Sequence, residues 1–166
     1  MPNATHPAVS RAEDTVVSWF FDRVRSTALD RTRPNRPVLA ERRARSGFMM
    51  PLHKRSEEEV HVVVEGEVSY FVDEETVRAA SGEVVILPPD AQRTLRVESE
   101  QAAWLVLTRV SSLGRFEDFG RALSRPAGPT PAAGWPSSQE AGALAAIARE
   151  NGIEVIGPPG SLPALA

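Results

Sequence analysis

The sequence has no cysteine and only one lysine, Lys54, among its 19 basic residues. Without cysteine, the chain can form no disulfide and can perform no thiolate chemistry. The scarcity of lysine, with abundant alanine, valine and proline, is typical of a GC-rich bacterial genome. No apolar run approaches the ~20 residues of a membrane-spanning helix, and the first 14 residues have no apolar stretch of the kind found in secretory signals. We therefore expect a cytoplasmic protein.

Length and charge limit the class of protein further. A chain of 166 residues can bury one substantial core but is too short for two barrel domains. The net charge of −3 gives no bulk attraction to nucleic acid or to an anionic membrane. A cluster of arginines fits a solvated edge, and less readily a rim that attracts an anionic substrate. Its members are Arg23, Arg25, Arg31, Arg33, Arg36, Arg42, Arg43 and Arg45.

Most of the chain between residues 15 and 110 consists of short alternating or β-branched segments divided by turn residues. In one of them, Glu59, His61 and Val63 fall on the same face, because strand side chains alternate with a period of two. Many short strands at regular intervals indicate an all-β sandwich or barrel. Strands are predicted over residues 15–24, 38–45, 58–64, 68–72, 76–79, 83–87, 94–97 and 103–110.

The C-terminal part has helical periodicity instead. Aromatic and leucine residues predict a short helix over 116–123, and the Pro- and Gly-rich stretch 125–136 predicts a linker. Ser137 followed by Glu140 fits a capping box at the start of a second helix, which ends at Gly152. We expect an extended or disordered arm over residues 1–14, a barrel over 15–112 and a helical tail over 113–166 packed on the barrel.

Two spaced motifs stand out within the barrel region. The first comprises Gly47, His53, Arg55, Glu59 and Gly66, and the second Gly82, Pro88, Asp90 and Arg93. Their spacing resembles that of the two motifs of the cupin superfamily, in particular its small single-domain members of the quercetin dioxygenase-like and polyketide cyclase-like kinds. The resemblance implies an all-β cupin double-stranded β-helix, a jelly-roll barrel, with a short helical C-terminal tail.

The resemblance also implies a metal at the barrel mouth, held by three His and one Glu. His53 and Glu59 keep two of those positions, whereas Arg55 and Arg93 replace the other two histidines and cannot ligate, because guanidinium stays protonated. We therefore expect no metal cofactor. The alternative is one divalent ion such as Fe, Mn, Ni, Cu or Zn on a rearranged triad of His53, Glu59 and His61. His61 is equally well explained as a barrel-filling side chain.

The two arginines bring positive charge to positions where the family holds its cation. Guanidinium groups in a water-poor barrel can donate hydrogen bonds to a developing oxyanion, with Glu59 or His61 as general base and the other as general acid. The simpler interpretation is that Arg55 pairs with Glu59, which we favour, and that Arg93 points to solvent. The predicted catalytic residues are Glu59, His61, His53, Arg55 and Arg93.

Four further residues are candidates for substrate binding: Glu41, Met50, Tyr70 and Trp104. Glu41 lies where quercetinase-like sequences often have Glu, although a surface position explains it more simply. Met50 would give the mouth an adaptable apolar surface. Tyr70 and Trp104 lie on predicted strands, where core or interface packing is the default; a cavity position for Trp104 would suit a planar substrate.

These features predict a small-molecule enzyme of natural product biosynthesis, a metal-independent cyclase, isomerase or lyase of the cupin fold. One alternative is a metal-dependent quercetinase-like dioxygenase, and another is a non-catalytic cupin that binds a small ligand. Neither nucleic acid nor a membrane is expected as a partner. A homodimer is predicted because Val60, Val62 and Val64 make the second face of their strand apolar, so that face needs a cover.

Overall fold

The computed structural model describes residues 16–20, 24–28, 38–108, 124–126, 138–150 and 152–164. Within these ranges the chain forms twelve strands and one helix. In chain order they are β1 Val16–Phe20, β2 Val24–Ala28, β3 Val38–Arg45, β4 Pro51–Arg55, β5 Glu59–Glu65, β6 Glu67–Val72, β7 Glu75–Ala80, β8 Val84–Leu87, β9 Arg93–Val97, β10 Gln101–Thr108, β11 Ser124–Pro126, α1 Ser138–Glu150 and β12 Ile153–Pro159.

The strands are arranged in two antiparallel sheets. The first has the order β11-β1-β2-β3-β10-β5-β8, and the second has the order β12-β4-β9-β6-β7. Consecutive strands often lie in different sheets, so that β10 pairs with both β3 and β5 while β4 and β6 both pair with β9. This exchange between facing sheets is the layout of a jelly roll. The predicted all-β fold is confirmed.

One apolar core fills the space between the sheets. Alternation sends every second side chain of a strand inward, and Val63 of β5 and Val68 of β6 are both fully buried in this way. The largest buried side chains of the core are Trp104 from β10 and Tyr70 from β6. At Glu59 and His61 the inward positions of β5 become polar, and this change marks the site.

Four strands, β2, β4, β11 and β12, were not predicted from the sequence, and β11 overlaps the start of the predicted linker. β4 lies in a stretch that its proline and nearby glycine had indicated to be a connection, and β12 lies in the predicted tail. β12 pairs with β4 and shifts register between Val155 and Gly157 and again before Pro159. Gly and Pro weaken strand patterns, so the sequence did not indicate this strand within the predicted helical tail, but Ile153 is buried and holds it on the barrel.

The predicted C-terminal helix is confirmed as α1. Its end at Gly152 is also as expected, since the Gly152 amide donates to the Arg149 carbonyl at 3.1 Å and the residue has φ +75°, a conformation that favours glycine. The predicted helix over 116–123 and the Ser137 cap lie outside the described residues, and the proposed domain boundaries stay a prediction. None of the helical segments in the described ranges is both long and apolar enough to cross a membrane.

The outward faces of β5, β8 and β10 carry aliphatic side chains that reach solvent. Strand register aligns them in two neighbouring rows across the three strands. Val84 and Ile86, on the edge strand β8, are 56% and 62% exposed. We call this surface the outer patch; it comprises Val60, Val62, Val84, Ile86, Leu105 and Leu107. Such a patch next to an open strand edge is where a second copy could pack, and the homodimer stays a prediction.

Candidate functional site

A cavity of about 650 Å³, including the part open to solvent, lies between the two sheets. Its walls contain eight of the nine predicted site residues: Met50, His53, Arg55, Glu59, His61, Tyr70, Arg93 and Trp104. Glu41 does not line it. The two motifs therefore converge on one site, and inward-facing residues of β6 and β10 complete its walls.

Strand β5 presents Glu59 and His61 to the cavity side by side. It pairs with β8 in unbroken register, Glu59 with Leu87 and His61 with Val85, so no bulge reverses the alternation between the two polar residues. Both side chains are buried. The inward orientation of His61 is thus confirmed.

Glu59 is held as a carboxylate by a buried ion pair. Arg55 Nη1 donates to Glu59 Oε1 at 2.6 Å, and the Thr108 hydroxyl reaches the same oxygen at 3.4 Å. Arg55 Nε also contacts the Glu57 carboxylate at 3.4 Å. Burial alone would raise the pKa of Glu59, but the charge of Arg55, with smaller contributions from His61 and Arg93, holds that pKa well below its ordinary value. The predicted Arg55–Glu59 pair is confirmed.

Arg93 supports the backbone around the motifs. Its Nη2 donates to the carbonyls of Arg55 and Glu57 at 3.4 and 3.0 Å, and its Nη1 donates to those of Leu87 and Pro88 at 3.4 and 3.2 Å. The side chain is 1% exposed, so the alternative in which it points to solvent is wrong. The planar guanidinium has five N–H donors, which allows Arg93 to hold two chain segments together. These contacts occupy the terminal nitrogens of Arg93, which the oxyanion hypothesis assigned to a substrate, whereas the buried Nε has no partner in the described ranges.

The turn that carries Arg93 has a left-handed residue where the family motif has glycine. Asp90 has φ +61°, a region that Asp tolerates better than most residues. Its amide donates to the Arg55 carbonyl at 2.7 Å. The Asp at this motif position therefore preserves the turn and joins the second motif to the first.

His61, Tyr70 and Trp104 present polar atoms to the cavity that the protein does not satisfy. Both ring nitrogens of His61, the Tyr70 hydroxyl and Trp104 Nε1 are buried and have no hydrogen-bond partner within the described ranges. His61 Nε2 lies 3.8 Å from Glu59 Oε2, which is too long for a hydrogen bond. The His61 and Tyr70 rings meet edge to face with centroids 5.5 Å apart. Burial, and to a smaller extent the charge of Glu59, raises the pKa of Tyr70, so it remains a hydrogen-bond donor.

His53 is fixed on the opposite sheet. Its Nδ1 lies 2.9 Å from the Pro51 carbonyl, to which the protonated nitrogen donates, and it pairs in register with Arg93. Burial lowers the pKa of His53 to about 4, despite opposing contributions from that hydrogen bond and from Glu59. His53 is therefore a neutral imidazole at physiological pH.

Strand β3 contributes a site residue that the sequence did not single out. Arg42 is 6% exposed and lines the cavity between the inward Ala40 and Ala44. Glu41 faces the other way, and its carboxylate accepts a hydrogen bond from Arg43 at 2.7 Å. The assignment of Glu41 to substrate binding is corrected accordingly. The small alanines on either side of Arg42 were the available signal for an inward face.

The residues present do not fit the metal site of the family. Among the described residues, no group of three or more His, Cys, Asp or Glu side chains could hold a metal ion. Glu59 is bound by Arg55, and the rearranged triad of His53, Glu59 and His61 does not form. The guanidinium of Arg55 takes up the carboxylate oxygen that a cation would need.

Residues 43–108 match a family model described as a cupin domain. A predicted oxalate decarboxylase from Thermotoga maritima is 16% identical, with a TM-score of 0.54 over 61% of this chain and 98% of its own. An RmlC-like cupin from Shewanella frigidimarina is 16% identical, with a TM-score of 0.54 over 64% and 94%. These likenesses agree with the predicted jelly-roll fold.

A structure of DMSP lyases also matches, with 19% identity and a TM-score of 0.51 over 57% of this chain. This chain spans about half, 51%, of the length of that lyase chain. No match was found among curated proteins. At these identities the structural likenesses establish the fold and leave the reaction to be argued from the site.

Proposed function

Since the chain contains a cupin domain over residues 43–108, we propose that it is a metal-independent enzyme that moves a proton on a small molecule inside the barrel, as a cyclase or isomerase of natural product biosynthesis. One observation carries this proposal. His61 is buried in the cavity, its ring nitrogens have no partner in the described part of the chain, and the Glu59 carboxylate lies 3.8 Å away. Imidazole is the side chain that most often carries protons in catalysis.

The site divides the acid–base roles between its residues. His61 takes a proton from a carbon beside a carbonyl group, and the C–H electron pair moves into an enolate. Glu59 is a weak base because of its lowered pKa, and it stabilises the imidazolium that forms on His61. Return of the proton at another atom completes an isomerisation, and attack by the enolate carbon on an electrophile within the same molecule closes a ring.

The test is exchange of carbon-bound hydrogen for deuterium in D₂O, followed by NMR for 2-oxobutanoate and levulinate. We expect wild-type protein to accelerate exchange of at least one compound, and His61→Gln to reduce the acceleration by about 10²- to 10⁴-fold. Glu41→Gln, on the outer side of β3, is the control and should exchange at the wild-type rate. Undiminished exchange in His61→Gln would remove His61 from the reaction, and no exchange by the wild type would favour a binding role.

The metal-independent character is tested separately by plasma mass spectrometry of protein purified without chelator. We expect metal far below one equivalent per chain and exchange rates that do not change when Fe, Mn, Ni, Cu or Zn is added. A stoichiometric metal that is required for turnover would contradict the proposal and would favour the dioxygenase alternative.

A binding protein without catalysis is the second candidate. It is favoured by the unsatisfied donors of Tyr70 and Trp104, because a bound ligand that is never transformed would satisfy them equally well. A co-purified ligand seen by native mass spectrometry, together with no deuterium exchange, would support this alternative.

We further propose that the protein acts in the cytoplasm as a homodimer, in which a second copy covers the outer patch. A patch that adjoins its own open strand edge can meet itself across a two-fold axis. Light scattering after size exclusion should give twice the chain mass, and Ile86→Lys should give a monomer. A wild-type monomer at micromolar concentration would contradict the dimer.

A further inference from the structure

Three hydrogen-bond donors come together on the cavity wall beside His61. Arg42 of β3 and Trp104 of β10 are directly paired across neighbouring strands, and both side chains line the cavity. Tyr70 lines it from the facing sheet, with its ring 5.5 Å from that of His61. His61 is paired with Val106, two residues from Trp104 along β10. We call Arg42, Tyr70 and Trp104 the donor wall.

The three side chains of the donor wall act as hydrogen-bond donors, so a ligand that binds them must supply acceptors. Indole N–H is only a donor and guanidinium has no acceptor, while the raised pKa of Tyr70 keeps its hydroxyl protonated. Tyr70 and Trp104 are fully buried, and their polar atoms have no partner among the residues that the structure describes. A buried donor without an acceptor is unfavourable, so a ligand with oxygen acceptors would complete both.

The charges around the cavity favour an acceptor that is also an anion. The charged side chains that line it are Arg42, Arg55, Arg93 and Glu59, which is three positive groups against one negative. Two further negative charges lie at the margin: Glu57, which contacts Arg55 from the edge of the site, and the exposed Asp90, whose charge acts on Arg93. Burial lowers the pKa of Arg42 to about 10, which still leaves it charged at neutral pH. The lining itself is therefore net positive, which favours an anionic ligand.

We propose that the substrate is a small carboxylic acid whose carboxylate is bound by Arg42, Tyr70 and Trp104, beside His61. This inference rests on the proposed function, since it names the substrate class of the same cavity. Arg42 provides the charge, and the two neutral donors fix the orientation of the carboxylate plane.

Calorimetry with acetate and benzoate, against the neutral acetamide and benzamide, tests the proposal without turnover. We expect at least one acid to bind wild-type protein at least tenfold more tightly than its amide. Arg42→Met should weaken that binding at least tenfold and Tyr70→Phe several-fold. Arg43→Met is the matched control, because Arg43 is the next residue of β3 on the outer face, and it should bind like the wild type.

Equal binding of acid and amide, unchanged binding in Arg42→Met, or no binding of either acid would overturn the proposal. If Arg42→Met does not fold, the variants Arg42→Lys and Tyr70→Phe replace it. Together with the acid–amide comparison in the wild type, they decide whether the donor wall binds a carboxylate. Because binding is measured without turnover, its failure removes the substrate class and leaves the exchange test of His61 standing. Failure of the exchange test removes the reaction and leaves carboxylate binding standing.

Discussion

The two sides of the cavity differ in how far their polar groups are hydrogen-bonded within the protein. On the motif side, Arg55, Glu59 and Arg93 are bound to one another or to backbone carbonyls. On the donor wall, the polar atoms of Tyr70 and Trp104 have no hydrogen-bond partner in the described ranges. The terminal nitrogens of Arg55 and Arg93 are thus bound within the protein. Apart from His61 and Arg93 Nε, the buried polar atoms without a partner in the described ranges lie on strands outside both motifs.

The largest effect should come from breaking the motif side. Arg55→Met leaves the buried Glu59 carboxylate without its 2.6 Å partner, and an uncompensated buried charge costs about 3–5 kcal/mol. Urea denaturation at pH 7 should show this loss in the free energy of unfolding. The exposed pair of Arg96 and Glu98, 2.8 Å apart, provides the control, since Arg96→Met should cost less than about 1 kcal/mol. Similar small losses in the free energy of unfolding in both variants would contradict the difference between the buried and the exposed ion pair.

Arg93→Met should have the next largest effect. The change removes the charged donors that hold the carbonyls of Glu57 and Pro88, and we expect a loss of about 2–3 kcal/mol in the free energy of unfolding. The binding of benzoate by the folded variant should weaken less than in Arg42→Met, because Arg93 contributes to the charge of the lining but is not part of the donor wall. Unchanged stability with abolished binding or turnover would instead assign Arg93 to the substrate.

The motif side could be predicted from the sequence because its geometry is local. Glu59 and His61 lie two residues apart on one strand, so alternation alone puts them on one face, and the spacing of Arg55 and Glu59 suggests their pair. The register of β5 and β8 keeps this local pattern intact. The strand β3 was also predicted with its observed limits.

The donor wall could not be predicted in the same way. In β3, Glu41 and Arg43 alternate with Arg42, so both faces carry charge and the pattern does not decide which one turns inward. The register with Trp104 decides it, and this register joins residues 42 and 104, which are 62 positions apart. The clamp made by Arg93 is equally hidden, because its partners are backbone carbonyls whose positions depend on the tertiary fold.

A pH titration of the free energy of unfolding should show the contribution of His53, which lies on the opposite sheet. The folded pKa of about 4 lies below the ordinary 6.5, so the unfolded chain binds its proton first as the pH falls. The contribution of His53 to the free energy of unfolding is therefore fully present above pH 6.5 and declines toward pH 4. We expect the decline to be about 2 kcal/mol, after allowance for the exposed part of the ring. Glu59 contributes little slope above about pH 5.5, because its lowered pKa leaves it ionised in the folded state and the unfolded chain is then mostly ionised there as well. His53→Gln should flatten this part of the curve, and an unchanged slope would contradict the assignment.

The smallest expected effect is a gain in the free energy of unfolding, opposite in sign to the others. It tests the donor wall without any ligand. Tyr70→Phe removes a buried hydroxyl that has no acceptor in the described part of the protein, while the ring keeps its packing against His61. Because an unsatisfied buried hydroxyl is unfavourable, the variant should be more stable than the wild type by about 1 kcal/mol in urea. Saturating benzoate should narrow or reverse this difference, because only the wild type can donate the hydroxyl to the carboxylate. A variant that loses stability without ligand would show that the hydroxyl already has a protein partner, and the two sides of the cavity would then no longer differ.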